Sequence, residues 1–368
     1  MNTSGPVITA WSAVSAFGIG RETFSAGVRS RQPVVTALDP ERWPAPVDRA
    51  CLVPGADPRE LLGRKGTRSM DRVTGLAVAA VGRLLDDGEG GRIPGLDEGT
   101  GLVLGTSNGS VSSIMAFTRD SLTQDRPYLV DPARFPNTVM NCAAGQSAIR
   151  HGLRGPNVTI AGGRASALLA LNHAQRLQRC GHARSVVCGA VEEFSAERAW
   201  LEWHARPEQD PGDASGAALT GEGCAVLLLE TGTDPAAGRP VLAEVAAVEI
   251  ALPADEKNTG PVLADCLRRA LHRAGLSAED VWALAPAGTP GPYGAQESTA
   301  LAEVLGAHDP IRLSCTDLLG DTNAASAAFQ IAALLASAEG DSAAAGRAAL
   351  VTTADPDGVV GCAVLRLA

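Results

Sequence analysis

Residues 155–174 read GPNVTIAGGRASALLALNHA, and this stretch decides the fold class. The β-branched run Asn157–Ala161 predicts a strand, and the residues after Arg164 predict a helix that follows a corner of small residues. The first N–H groups of such a helix have no partner in the helix, and its dipole is positive there, so this place favours negative charge. Arg164 therefore places a cation where the helix favours an anion.

Predicted strands and helices alternate on both sides of this stretch. The strands outside it are Pro6–Ala16, Gly101–Thr106, Ser185–Ala190, Cys224–Glu230, Pro240–Ile250, Val281–Pro286, Ala348–Thr353 and Val360–Leu367, and the helices are Arg72–Leu85, Ala143–His151, Pro261–Ala274 and Ala324–Ser337. Such alternation is typical of mostly parallel sheets that are covered by helices. A polar loop at residues 206–216 and a linker at residues 231–238 interrupt it. Since the order begins again after the linker, we predict two similar halves, residues 1–236 and 237–368.

The composition bounds the function. A chain of 368 residues with 45% apolar residues can bury a large core. Because no apolar run reaches about 18 residues and no basic segment precedes an apolar one at the N-terminus, we predict neither a membrane span nor a signal peptide. The net charge of −10 argues against a nucleic-acid partner. The eight cysteines lack C-x-x-C spacing, which indicates a reducing cytoplasm and predicts no metal or cofactor site.

Five segments together resemble the β-ketoacyl synthase family. They are PVITAWSAVSAFGIG (6–20), FPNTVMNCAAGQSAIRHGLRGPNVTI (135–160), CGHARSVVCGAVEEFS (180–195), GEGCAVLLLE (221–230) and LLGDTNAASAAFQIAALL (318–335). The resemblance implies an α/β protein with the duplicated thiolase-like fold. In that fold two similar βαβαβαββ halves build the layers α-β-α-β-α.

Members of that family use one cysteine and two histidines. The cysteine lies at a helix N-terminus and accepts the acyl chain as a thiolate, and the histidines stabilise the enolate that forms when the extender loses CO2. The resemblance maps the cysteine onto Arg164, the histidines onto Ala287 and Asp321, and a lysine onto Thr316. The closing G-F-G-G loop is replaced by residues 358–361, which read GVVG. The resemblance therefore implies no catalytic residue at these degenerate positions.

Arginine cannot replace the nucleophile, because its guanidinium stays protonated. We hypothesise that Arg164 pairs with Asp321, with Glu297 as a second possible partner, because a buried guanidinium needs a counter-charge. The alternative is that Arg164 turns toward solvent or a subunit interface.

A chain of this kind resembles the chain length factor of type II polyketide synthases. That resemblance implies a heterodimer with an active ketosynthase, an acyl carrier protein as a further partner, and a role in setting polyketide chain length. Many chain length factors carry glutamine at the cysteine position; the arginine here favours a reducing, polyene-forming system. The residues implied for the wall of the acyl tunnel are Asn108, Val111, Ser112, Met115, Arg134 and Phe135. If the segment after Gly105 is helical, the three-to-four-residue spacing puts several of them on one face; alternatively, Val111 and Met115 are ordinary core.

The resemblance also implies a subunit interface along Asn157–Ile160, where an edge strand could be extended by a homologous subunit. The implied interface residues are Thr138, Asn141, Gln146, Asn157 and Thr159. Alternatively, these polar side chains cap local turns.

Two other functions stay open at this point. The chain is either an acyltransferase or thioesterase-like enzyme with a different nucleophile, for which Cys315 and Cys362 lie nearest, or a homodimeric acyl-binding protein. A basic run, Arg176, Arg179 and Arg184, either meets an acidic carrier protein or is a solvated face.

Overall fold

The computed structural model of the chain describes residues 5–89, 91–205, 219–232, 238–356 and 358–368. Its strands are β1 (Pro6–Ser15), β2 (Gly18–Ile19), β3 (Thr36–Ala37), β4 (Arg49–Ala50), β5 (Gly101–Thr106), β6 (Asn157–Ala161), β7 (Ser185–Glu192), β8 (Gly223–Thr231), β9 (Ala243–Ala251), β10 (Val281–Ala285), β11 (Ile311–Arg312), β12 (Ala348–Ala354) and β13 (Val360–Leu367).

Its α-helices are α1 (Arg21–Ser30), α2 (Pro58–Leu62), α3 (Arg72–Leu85), α4 (Val111–Thr123), α5 (Cys142–His151), α6 (Ser166–Arg179), α7 (Ala196–His204), α8 (Thr259–Ala274), α9 (Pro292–Leu305), α10 (Cys315–Leu319) and α11 (Ser326–Ala338). Among the described residues, short 3-10 turns directly precede three of them, Gly163–Ala165 before α6, Glu256–Asn258 before α8 and Asn323–Ala325 before α11. A longer 3-10 segment, Pro132–Thr138, follows α4.

The sheet topology shows the predicted duplication. The strand order is β11-β10-β12-β13-β9-β1-β8-β7-β5-β6, so each half reads outward from the centre in the same order. In the first half β5 is parallel to β6 and β7, while β8 is antiparallel to β7 and β1. In the second half β10 is parallel to β11 and β12, while β13 is antiparallel to β12 and β9. The halves meet where β1 pairs with β9.

The buried side chains divide into layers that match the expected α-β-α-β-α arrangement. The central core packs α6 and α11 between the two halves of the sheet, with Leu168, Leu171 and Phe329 fully buried there. A second core covers the outer face of the first half with α3 and α5, and a third covers the second half with α8 and α9. The expected duplicated thiolase-like α/β fold is confirmed.

The predicted elements match the structure best where hydrophobic patterns are long. Helix α3 and strands β5, β6 and β13 have the predicted bounds, whereas α5 begins one residue earlier than predicted, at Cys142. The predicted loop at residues 206–216 lies outside the described residues, as do most of the linker at 231–238 and the division at 236/237. No helix in the described ranges is long and apolar enough to cross a membrane.

Candidate functional site

Arg164 lies at the corner between β6 and α6, where the sequence analysis placed a cation at a helix start. The preceding Gly163 has a φ of 53°, a left-handed conformation that glycine adopts without strain. A Cβ at this glycine would lie 2.0 Å from Oδ2 of Asp355. Glycine is therefore required both by the sharp corner and by the close approach of that carboxylate.

The guanidinium of Arg164 binds the carboxylate of Asp321 with two parallel hydrogen bonds. Nη1 donates to Oδ1 at 2.8 Å, and Nη2 donates to Oδ2. The two side chains are only 11% and 15% exposed. The pairing predicted from their opposite charges is confirmed, and such a bidentate pair is among the stronger polar contacts in proteins.

The duplication explains why residues 157 positions apart in sequence meet. Arg164 begins α6 in the first half, and Asp321 lies just before α11 in the second half; both helices are in the central layer. A second arginine, Arg198 of α7, holds Asp321 from the other side, since its Nη2 donates to the Asp321 carbonyl at 3.2 Å. Arg164, Asp321 and Arg198 therefore form a connected set of polar contacts near the starts of α6 and α11.

Both members of the pair keep their charges. Burial on its own would raise the pKa of the Asp321 carboxyl, but Arg164 and Arg198 together hold that pKa below its usual range. Burial on its own would lower the pKa of the Arg164 guanidinium, but Asp321 raises it above its usual range. Both shifts favour the charged forms, so each group stabilises the ionised state of the other.

A second carboxylate supplies the negative charge that the helix start favours. The backbone N–H of Arg164 donates a hydrogen bond to Oδ2 of Asp355, a residue that is 4% exposed. An anion at a helix N-terminus is stabilised by the free N–H groups and the dipole. The cation at residue 164 is therefore balanced by Asp321 at its side chain and by Asp355 at its backbone.

The segment at Ala287 is fixed by buried polar contacts instead of a histidine. The backbone N–H groups of Ala287 and Gly288 donate to the Glu297 carboxylate at 2.8 and 3.2 Å, and the Thr316 hydroxyl donates to the Ala287 carbonyl at 3.0 Å. Burial raises the pKa of Glu297, although hydrogen bonds from Thr352, Ala287 and Gly288 oppose this. Glu297 is therefore used to hold this segment, and the ion-pair partner of Arg164 is Asp321.

The two cysteines that the sequence left open as alternative nucleophiles are poorly suited to that role. Cys315 and Cys362 are 5% and 0% exposed. Burial raises the pKa of Cys315 to about 12 and raises the pKa of Cys362 well above its usual range. Within the described part of the chain, no group of three or more histidine, cysteine or acidic residues has an arrangement that could hold a metal ion.

The residues assigned to the tunnel wall are divided between a turn and a helix. Helix α4 begins at Val111, capped by Ser110, so Val111, Ser112 and Met115 share adjacent turns. The expectation that Asn108 shares this helical face is wrong, because Asn108 is an exposed residue in the turn before the cap. Val111 is buried, whereas Met115 is 44% exposed, so the alternative that both are core holds only for Val111.

Arg134 and Phe135 lie on the 3-10 segment that packs against α4. The Phe135 ring is tilted against Phe117 with centroids 6.0 Å apart, and it is 58% exposed. Arg134 reaches Asp120 of α4 at 3.4 Å. These contacts place the segment beside the same helix as Ser112 and Met115.

Behind α4 lie two neighbouring acidic side chains, Glu193 and Asp71, whose proximity was not predicted from the sequence. The Glu193 carboxylate accepts hydrogen bonds from the Ser110 hydroxyl at 3.0 Å and the Val73 N–H at 3.1 Å. Asp71 caps α3 through the Thr74 N–H and also accepts a bond from Ser113 of α4. Burial, and then the negative charge of Asp71, raise the pKa of Glu193 to about 8. The sequence signal that could have indicated a buried Glu193 is the pair of glutamates, Glu192 and Glu193, at the end of an apolar strand.

The residues assigned to the interface surround the open edge of the sheet, because β6 is the last strand in the order. Two of them make local contacts: Thr138 donates to the Phe135 carbonyl at 2.8 Å, and Asn157 donates to the Ala144 carbonyl at 3.1 Å. Asn141 is the exposed N-cap residue of α5, Gln146 is half-buried on that helix, and the Thr159 hydroxyl is buried. Exposed apolar side chains nearby are those of Val139, Met140 and Ile149.

The fold and this corner define a class of protein. Residues 6–234 match the description "Beta-ketoacyl synthase, N-terminal domain", so the chain belongs to the β-ketoacyl synthase family. It is similar over 99% of both chains to the structure titled "The ishigamide ketosynthase/chain length factor", with 47% identity and a TM-score of 0.92.

One further comparison agrees with this family, and another agrees with the fold. The 3-oxoacyl-[acyl-carrier-protein] synthase 2 of Rhizobium meliloti (strain 1021) is 30% identical over 309 residues, which cover 75% of this chain and 72% of the relative. A structure of a type II PKS acyl-carrier protein in complex with its ketosynthase bound to the hexaketide has a TM-score of 0.81 at 19% identity, covering 99% of both chains. At that identity the likeness supports the fold alone.

Proposed function

We propose that this chain is a non-catalytic chain length factor of a type II polyketide synthase. The observation that carries the proposal is the bidentate ion pair of Arg164 and Asp321. The resemblance maps these two residues onto the family's cysteine and second histidine. The guanidinium cannot form a thioester, and the carboxylate stays ionised. The identity of 47% to a ketosynthase/chain length factor supports the assignment.

In this proposal the condensing activity is absent because all three positions that the resemblance maps onto the family's cysteine and histidines are changed, namely Arg164, Ala287 and Asp321. Ala287 has no side-chain donor to stabilise an enolate, and its backbone N–H is already bonded to Glu297. The Arg164 N–H, a donor of the kind that polarises a thioester carbonyl, is bonded to Asp355. Each group that the reaction would need is therefore absent or occupied.

In this proposal the chain forms a heterodimer with an active ketosynthase and limits the length of the acyl chain. The growing chain is attached to the cysteine of the active subunit and is delivered by an acyl carrier protein. The far end of its tunnel is closed by α4 and the 3-10 segment Pro132–Thr138 of this chain. A wall side chain that clashes with one more two-carbon unit needs to cost only about 1–3 kcal/mol to set the product.

The proposal is tested by producing the chain with and without the ketosynthase encoded beside it. We expect a stable one-to-one heterodimer that elongates carrier-bound substrate, and no elongation by this chain alone. Replacing the cysteine of the active subunit by alanine should abolish product formation in the heterodimer. Elongation by the purified chain alone, or acyl labelling of one of its own cysteines, would contradict the proposal and favour an enzyme of altered chemistry.

The tunnel role predicts the effect of Ser112→Phe in that heterodimer. Ser112 is half-buried on the first turn of α4, so the larger ring should shorten the main product by at least one two-carbon unit. The product lengths are measured by mass spectrometry. Thr118→Phe, at an exposed position on the same helix, is the matched control and should leave the product length unchanged. If Ser112→Phe and Thr118→Phe give products of the same length, Ser112 does not line the tunnel wall.

A further inference from the structure

A cationic face lies beside the open edge of the sheet. A cavity of about 200 Å³ lies between β6 and α6; it is lined by Ile160, Leu169, Asn172, His173, Arg176 and Arg179. Positions 169, 172, 173 and 176 follow the spacing of one helical face. We name His173, Arg176 and Arg179 the α6 basic face.

The charges of this face are not neutralised within the chain. Arg176 and Arg179 are exposed and form no ion pair with another described residue. By contrast, the arginines of α8 are paired: Arg268 binds Glu303, and Arg273 binds Glu249. In a protein with a net charge of −10, uncompensated cations beside an open strand indicate a surface that meets negative charge.

The geometry of the open sheet edge at β6 determines which part of a partner subunit would lie opposite the α6 basic face. Val158 and Ile160 of β6 pack toward the central core, on the side of α6, and Asn157 bonds to α5 on the other side. Helix α6 therefore covers one face of the sheet at its open edge. A homologous subunit that adds its own edge strand about a two-fold axis would bring its equivalent of α6 next to this one, on the same face of the sheet.

A second copy of this chain in that position would bring like charges together. His173, Arg176 and Arg179 would face the same three residues, which is unfavourable. Glu98, an acidic residue just before β5, is not available to compensate these cations, because it is already paired with Arg154. A subunit with carboxylates on the corresponding helix would instead find complementary charges.

We propose that the α6 basic face selects the dimer partner: it disfavours a second copy of this chain and favours a homologous ketosynthase subunit with an acidic α6. This inference deepens the proposed function and rests on it. Specificity of this kind needs a repulsive element against the wrong partner as well as an attractive one for the right partner. Here the same side chains supply both.

The test needs only this chain and one variant of it. Arg176→Glu/Arg179→Glu converts the face to its complement, so a mixture of the variant with the wild-type chain should form mixed dimers. Using two affinity tags and sedimentation, we expect a dissociation constant for the mixed dimer at least tenfold below that of either chain alone. The difference should shrink when the salt concentration rises from about 0.1 M to 1 M, because the Debye length falls from about 10 Å to 3 Å.

Arg29→Glu/Lys257→Glu is the control, because it makes the same change of net charge at exposed positions on other elements. Mixed dimers with this control, or no preference for the mixed dimer with the α6 variant, would overturn the inference. It would also be overturned if charge reversal lowered cross-linking to an acidic carrier protein and left all dimers unchanged. If the wild-type chain still assembles with the active ketosynthase and gives product, the proposed function is supported even when the inference about the α6 basic face fails. If the wild-type chain does neither, the proposed function itself is contradicted.

Discussion

Arg164→Met is expected to lower the free energy of unfolding by about 3–5 kcal/mol, the cost of breaking a buried ion pair by removing one partner. The variant keeps an apolar stem but leaves the Asp321 carboxylate buried without its two guanidinium bonds. The pKa of Asp321 is held below its usual range by Arg164 and Arg198 against the effect of burial. In the wild type, the stabilisation from this ion pair is present above about pH 4 and is lost as the pH falls through the native pKa of Asp321. Arg164→Met lacks this stabilisation.

The measurement is urea unfolding at neutral pH. Arg154→Met is the matched control, because its partner Glu98 and Arg154 itself are 64% and 74% exposed, and exposed pairs contribute about 0–1 kcal/mol. Arg164→Met/Asp321→Leu should recover much of the loss, since a well-packed apolar pair can replace a buried ion pair. If Arg164→Met is as stable as the control, the pair does not hold the site together.

Glu193→Gln is expected to reduce a fall in stability between about pH 5 and pH 8. Burial, and then Asp71, raise the pKa of Glu193 to about 8, so the folded protein keeps a proton that the unfolded chain releases near its ordinary value of 4.5. In that interval the native state binds more protons than the unfolded state, so the wild type loses stability as the pH rises. The loss is on the order of 2–4 kcal/mol.

Chemical unfolding at several pH values gives the slope, which should be clearly smaller in Glu193→Gln than in the wild type. Glu192 and Glu297, whose pKa values burial also raises, account for the slope that remains. Asp71→Asn provides a second variant, because asparagine still caps a helix and yet removes the neighbouring charge. It should reduce the slope without abolishing it. A wild-type protein whose stability is constant or rises from pH 5 to pH 8 would contradict the prediction.

Much of the fold could be predicted because long apolar patterns determine it. Helix α3 and strands β5 and β6 are each buried on faces that the sequence marks clearly, and the second series of elements indicated the duplication. Helices α1, α2, α7, α9 and α10 were not predicted. Helix α9, PYGAQESTALAEVL, is mixed in polarity, and only Glu297, Ala300, Leu301 and Leu305 are buried. Its position comes from tertiary packing against α8.

The candidate site could be predicted in part, because opposite charges at two matched positions required each other. The contact of Asp355 with the Arg164 N–H could not be predicted, since a backbone donor leaves no mark on the sequence. Glu193 was missed for a related reason. A glutamate after a strand is normally exposed, and only the three-dimensional arrangement of α3, α4 and β7 buries it beside Asp71.

The contact between Asp355 and the start of α6 also bears on how such a protein evolves. A cysteine restored at residue 164 would share the helix start with a fixed carboxylate, whose charge would oppose ionisation of the thiol. Under the proposed function, a gain of condensing activity would need at least Asp355 and Asp321 to change together with the arginine. A single change at residue 164 would therefore not be enough to create a reactive cysteine.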